Sequence, residues 1–205
     1  TCALPIYFSL WLKWRPGQFQ FESSRLDLSV VGGFSTPVSN YYPDYLPFSI
    51  GLGSTNLTGQ GIVHFEMTQG WFATLTGGYT TRSNIELERD HYYSGGQAYY
   101  TNEMDMPDVA TGRLALGYVN PHIKADVFAT VMNTLGGDDI RRQDMPLPNN
   151  NMDQTRVGAE AQWYITQPRG LSFIGFASYA VAGRNVGQST NFGGGIAYQF
   201  GLWKK

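Results

Sequence analysis

Apolar and polar residues alternate with a period of two along most of the chain. From Thr155 to Ile165, Val157, Ala159, Ala161, Trp163 and Ile165 fall on one side, and Arg156, Gly158, Glu160, Gln162 and Tyr164 fall on the other. A helical period would mix the two sets, so this is the mark of a strand with two unlike faces. The split recurs over Ile123–Val131, where Lys124, Asp126, Phe128 and Thr130 oppose an apolar row. It recurs again near the C-terminus, where Phe192, Gly194, Ile196, Tyr198, Phe200 and Leu202 oppose Asn191, Gly193, Gly195, Ala197, Gln199 and Gly201. Further segments of this kind are Tyr7–Trp14, Phe19–Gly33, Leu57–Met67, Trp71–Arg82, Val109–Tyr118 and Leu171–Gly183. The pattern predicts about nine strands, most of them near the 9–11 residues that a tilted strand needs to cross a bilayer. Soluble strands average only about five or six.

Short and long connections alternate. Arg15-Pro16-Gly17-Gln18, Thr68-Gln69-Gly70, Asn120-Pro121-His122 and Gln167-Pro168-Arg169-Gly170 carry turn-forming Pro or Gly, whereas Ser35–Asn56, Ser83–Asp108 and Leu135–Asp153 are long and polar, with a shorter segment at Arg184–Ser189. Short turns opposite long loops is the asymmetry of outer-membrane barrels, whose short turns face the periplasm. Counting back from a last strand that ends in the periplasm puts all four short turns on that side. The first visible strand then runs inward, which an even-numbered barrel does not allow for its first strand, so at least one strand is expected upstream and the full barrel is expected to have about 10–12. Thr1 to Ile6 resembles the translation of a sequencing adapter, and residues 7–205 are read as the C-terminal part of a single barrel domain. The apolar stretch Leu4–Leu12 lacks the basic start and the small-residue cleavage site of a secretory signal.

Composition narrows the class. Of 205 residues only 15% are charged, the formal net charge is −2, and Tyr and Phe number 13 and 12 beside five Trp. A nucleic-acid binder would carry a basic excess and a disordered chain would be poor in aromatics. No apolar run approaches the roughly 20 residues of a membrane helix, but a barrel built of alternating segments needs none. A single cysteine, Cys2, excludes an internal disulfide and a cysteine-only metal site. Trp11, Trp14, Trp71 and Trp163 lie close to the expected short turns and Trp203 ends the last strand, so the five are expected at one level, as a periplasmic aromatic girdle.

With the apolar faces toward lipid, Lys13, Arg25, Asp27, His64, Glu66, Arg113, Lys124, Asp126, Arg156 and Glu160 point into the lumen. Their mixed signs suit an interior ion-pair network more than a substrate path. His64 and Glu66 share a face and invite comparison with hydrolases, yet no nucleophile motif accompanies them, and the plainer reading is a lumen histidine. The run Gly136-Gly137-Asp138-Asp139 with Asn149, Asn150, Asn151 and Asp153 offers oxygen atoms to calcium without matching an EF-hand, and such residues commonly serve turns. Tyr92, Tyr93, Tyr99 and Tyr100, in the acidic segment Glu86–Asp108, are expected outside the cell, where they bind partners or sugars or form a lid. Neither catalytic nor metal-ligating residues are assigned, and no cofactor is expected.

The stretches Gly33–Tyr42, Gly70–Tyr79 and Gly183–Phe192 through Tyr198-Gln199-Phe200 resemble outer-membrane β-barrel proteins of Bacteroidota. Within these, the chain is similar to transporters related to the phenol-degradation MetA-pathway family, themselves similar to FadL-type channels. The resemblance covers most of residues 20–205 and implies a monomeric outer-membrane barrel, inserted by the barrel-assembly machinery and surrounded by outer-membrane lipids, that passes small hydrophobic molecules. Phe200 resembles the terminal aromatic insertion signal of such barrels, with Gly201–Lys205 extending past it. The competing expectations are a structural or adhesive barrel acting through its loops, an outer-membrane lipid hydrolase and, against the membrane reading as a whole, a soluble β-sandwich with long strands.

Overall fold

A computed structural model describes residues 7–39, 51–139, 147–167 and 170–200. The chain is all-β. In order, the strands are β1 (Tyr7–Gln20), β2 (Ser24–Pro37), β3 (Asn56–Met67), β4 (Trp71–Arg82), β5 (Ile85–Glu86), β6 (Tyr92–Ser94), β7 (Gln97–Tyr99), β8 (Glu103–Met104), β9 (Asp108–Val119), β10 (Ile123–Leu135), β11 (Asp153–Tyr164), β12 (Leu171–Arg184) and β13 (Thr190–Tyr198). Nine long strands form one up-and-down antiparallel sheet in the order β1-β2-β3-β4-β9-β10-β11-β12-β13. The four short strands pair within the connection between β4 and β9, as ribbons β5–β8 and β6–β7. Among the described residues β1 and β13 are the sheet's edges.

One transverse row shows how the sheet is sheared. Arg25, Glu66, Phe72, Gly117, Asp126, Glu160, Phe176 and Gly193 are successive cross-strand partners. In β2, β3 and β4 the row passes next to the turn-bearing strand ends, and by β12 it has climbed well into the strand. A steady stagger of this kind is the geometry of tilted strands in a barrel wall.

The two faces differ as the alternation predicts, but the sheet has the reverse of a soluble protein's distribution. Leu12, Trp14, Val30, Val63, Leu75, Leu114, Val127, Phe192 and Ile196 share the apolar face and are all exposed. The hydrophobic cluster of buried residues lies instead in the connection after β4, where Ile85, Leu87, Tyr92, Met104 and Met106 pack with Leu52. An apolar face of this extent, left uncovered, marks a surface made for a membrane or a protein partner.

Aromatic side chains on the opposite, polar face lie over glycines of the next strand. Trp11 covers Gly33, Phe72 covers Gly117, Phe128 covers Gly158 and Phe176 covers Gly193. A Cβ at Gly158 would stand 2.6 Å from the Phe128 ring and 2.5 Å from the Ala177 carbonyl oxygen. Gly158→Val is therefore expected to cost about 1–3 kcal/mol by forced repacking, read as a lower urea midpoint; an unchanged midpoint would mean that the ring swings away freely.

Two expectations need correction. Arg15-Pro16-Gly17-Gln18 is not a turn: β1 continues to Gln20, with a register shift between Trp14 and Gly17, and the turn comes at Phe21-Glu22-Ser23, closed by Phe21 N–H to the Ser24 carbonyl at 2.8 Å. Proline is tolerated here because it sits in the bulge, which removes the demand for its N–H. With the turn displaced, Trp11 and Trp14 are mid-strand, and Trp11 shares the polar face with Lys13. They do not share a level with Trp71 and Trp163, which stand on the apolar face next to short turns. Trp71 makes an edge contact with Tyr118 at 5.3 Å. Trp203, Pro168, Arg169 and residues 1–6 lie outside the described residues.

Candidate functional site

The strand register gathers Lys13, Arg25, Asp27, His64, Glu66, Arg113, Lys124, Asp126, Arg156 and Glu160 onto the single polar face. They are not one network. In the first cluster Arg25 reaches Glu66 at 2.8 Å and Asp27 at 3.1 Å, and Arg15 approaches Asp27 at 4.0 Å. Arg15 escaped the sequence reading because its segment looked like a turn. The second cluster has Arg113 between Asp126 at 3.6 Å and Glu160 at 3.2 Å, its guanidinium 4.0 Å above the Phe128 ring. Among the described residues Arg156 pairs with no carboxylate and donates instead to the hydroxyls of Ser189 at 3.2 Å and Ser178 at 3.3 Å. Lys13 and Lys124 make no ion pair among the described residues, and Lys124 lies 5.4 Å from the Phe72 ring.

These groups border open space. A cavity of about 560 Å³ is lined by Lys13, Arg15, Asp27, His64, Thr74 and Lys124, among others. Toward the rim with the long connections a second cavity of about 360 Å³ is lined by Tyr7, Ser9, Asn56, Thr58, Thr80 and Arg82. Cross-strand polar pairs line it, such as Thr58 with Thr80 at 2.9 Å and the Asn56 amide donating to the Ser35 hydroxyl at 3.1 Å. Charges and hydroxyls on a cavity wall keep their hydration, so this face suits contact with water and polar solutes.

His64 does find a hydroxyl, with Nδ1 2.7 Å from Thr74 Oγ1. Its Nε2 stands 3.6 Å from Glu66, beyond hydrogen-bond reach, and that Glu66 oxygen is already held by Arg25. The set therefore lacks the carboxylate–imidazole bond that orients a base for nucleophilic catalysis. Among the described residues no group of three His, Cys, Asp or Glu is gathered for a metal.

At the opposite rim from the short turns, the connections are tied to one another. Ser94 donates to Asp138, Asn149 donates to Ser94 at 3.2 Å, and Asn185 donates to Asp139 at 2.8 Å and to the Asn151 carbonyl at 2.7 Å. Arg184 donates to Asp139 as well. The oxygens considered for calcium are thus engaged in loop–loop bonds. The Arg184 guanidinium and the Asn185 amide hold the Asp139 carboxyl below its ordinary range. A depressed value makes this tie complete above the unfolded carboxyl's pKa of about 3.9, and it is lost only as pH falls through the lower folded value. Asp139→Asn is therefore expected to speed amide exchange at Asp138 and Asn151 at neutral pH, the two amides that bridge this loop. The difference from wild type should shrink on strong acidification, and equal exchange at neutral pH would show that the tie is inert.

No family model matches the sequence, and no curated protein is significantly similar to it. Among solved structures the chain is similar to OccAB4 of Acinetobacter baumannii, with a TM-score of 0.52 at 8% sequence identity. The match covers 94% of this chain and 46% of OccAB4, so the chain spans about half the length of that protein. At this identity the likeness speaks for the fold, an up-and-down antiparallel β-barrel wall.

Proposed function

We propose that the chain forms part of the wall of an outer-membrane β-barrel channel for small polar solutes. The observation that carries this is the reversed sheet: an exposed apolar face backed by a face of ion pairs, hydroxyls and lysines that lines cavities. The fold shared with OccAB4 of Acinetobacter baumannii supports the barrel part of this reading. In hydrocarbon the edges β1 and β13 need partners. Nine alternating strands leave those two running the same way. An all-antiparallel wall therefore takes an odd number of further strands between them, which makes the barrel even-numbered.

The hydrophobic solutes implied by the FadL-type resemblance would have to move along a charged wall. On the polar face, Lys13, Arg15, Arg25, Arg113, Lys124 and Arg156 outnumber Asp27, Glu66, Asp126 and Glu160. That excess favours anions over cations. Reconstituted in planar bilayers, the protein is expected to conduct, with a reversal potential in a salt gradient on the anion side. Lys13→Glu with Lys124→Glu should move it toward cations. An intact barrel that neither conducts nor admits a hydrophobic probe would instead be the structural or adhesive barrel.

A further inference from the structure

The rim connection after β4 contains a hairpin whose two faces are unlike. Gly95 and Gly96, at φ of 57° and 81°, make the two-residue turn with both central residues left-handed that fits the strand twist, so the register is fixed: Tyr92 opposite Tyr99, Tyr93 opposite Ala98, Ser94 opposite Gln97. One face is anchored. Tyr92 is buried in the cluster with Ile85, Leu87, Met104 and Met106 and stacks on Tyr99 at 5.3 Å, and Ser94 is tied to Asp138. By the period of two the other face presents His91, Tyr93, Ala98 and Tyr100. His91 meets Tyr93 edge-on at 6.0 Å and 81°, and lies tilted by 32° against Tyr100, also at 6.0 Å. Tyr100 is 84% exposed.

We propose that this face is a saccharide platform that stacks a neutral pyranose with equatorial hydroxyls, the ring of a β-linked glucan being the best fit. The His91 and Tyr100 rings offer an open apolar surface to the axial C–H groups of such a sugar, Tyr93 stands as a wall across it, and the small Ala98 leaves the notch between them. Asp90, which holds His91 by a 2.7 Å bond to Nδ1, is exposed at the margin as an acceptor for sugar hydroxyls. The platform needs little ordering on binding, because the hairpin is already fixed by its buried face. Two alternatives fit less well. The rings touch one another, which leaves no space for the quaternary ammonium of an aromatic cage. Glu86, Glu88, Asp90, Glu103 and Asp105 in the same connection repel acidic glycans and anionic headgroups.

The site does not depend on the channel reading, and its test is separate from conductance. Isothermal titration of the full chain in detergent micelles with cellohexaose is expected to show binding, with dextran sulfate and tetramethylammonium giving none. Tyr100→Ala should weaken it about tenfold, the scale of one stacked ring, and Asp90→Asn by less, while heat-modifiable gel migration shows both variants folded. Absence of cellohexaose binding by the wild type, an affinity unmoved by Tyr100→Ala in the folded protein, or preference for tetramethylammonium or dextran sulfate would each overturn the proposal.

Discussion

Replacing Arg113 by methionine is expected to lower the unfolding free energy by about 2–3 kcal/mol, less than the roughly 3–5 for breaking a fully buried ion pair, since the arginine is partly exposed. The reason lies in the register. Asp126 and Glu160 are direct cross-strand partners on β10 and β11, two carboxylates placed opposite each other on one face. Asp126 is almost fully buried, with a side-chain exposure of 3%. Arg113 is the cation within salt-bridge distance of both and also spreads over Phe128. Without it a buried carboxylate faces a like charge, and neither has a salt-bridge partner among the described residues. Adding Asp126→Asn and Glu160→Gln to Arg113→Met should recover most of the loss, measured as the urea midpoint in micelles. If the triple variant is as unstable as the single one, the contact of Arg113 with Phe128 outweighs its ion pairs.

That cluster also marks where sequence legibility ends. Period-two alternation assigns Arg113, Asp126 and Glu160 to one face because side-chain direction is a local property of a strand. Their partnership depends on which strands are neighbours and at what register, and Arg113 and Glu160 are 47 residues apart. The nine strands and the three short connections after Met67, Val119 and Tyr164 were legible for the same local reason. The failure at Arg15-Pro16-Gly17 is instructive. Pro-Gly is a strong turn signal, but pairing of Gln18, Phe19 and Gln20 with Asp27, Leu26 and Arg25 outweighs it, and the bulge between Trp14 and Gly17 leaves Pro16 no ladder bond to lose. Once that turn was misplaced, Trp11 and Trp14 followed it to the wrong level. The hairpin within 83–107 carried a readable Gly-Gly signal flanked by aromatic residues, but the acidic residues around it read as an irregular loop. Its order comes from Leu52, Ile85 and Met104, far apart in sequence, which bury one side of it.

Leu114→Arg is expected to block assembly of the barrel, whereas Gln60→Arg is expected to leave it nearly unaffected. Val63, Leu75 and Leu114 form one row of direct partners across β3, β4 and β9, midway along the strands on the apolar face, and all three are exposed. In water an arginine at an exposed position costs little, usually within about 0.5 kcal/mol. At the midplane of a bilayer the same change costs about 2–4 kcal/mol. Leu114→Arg therefore asks which solvent covers this face, and the answer does not depend on any partner, solute or conductance. Gln60 lies between Thr58 and Ile62 on the polar face, where an added guanidinium stays hydrated and meets neighbours that accept hydrogen bonds. Folding into lipid vesicles, followed by heat-modifiable migration and protease protection, distinguishes the two variants. Equal folding of both would mean that the apolar face is not lipid-exposed and would remove the membrane from the account. Failure of Leu114→Arg alone would fix the direction of the wall, with lipid against Val63, Leu75 and Leu114 and the charged cavities on the other side.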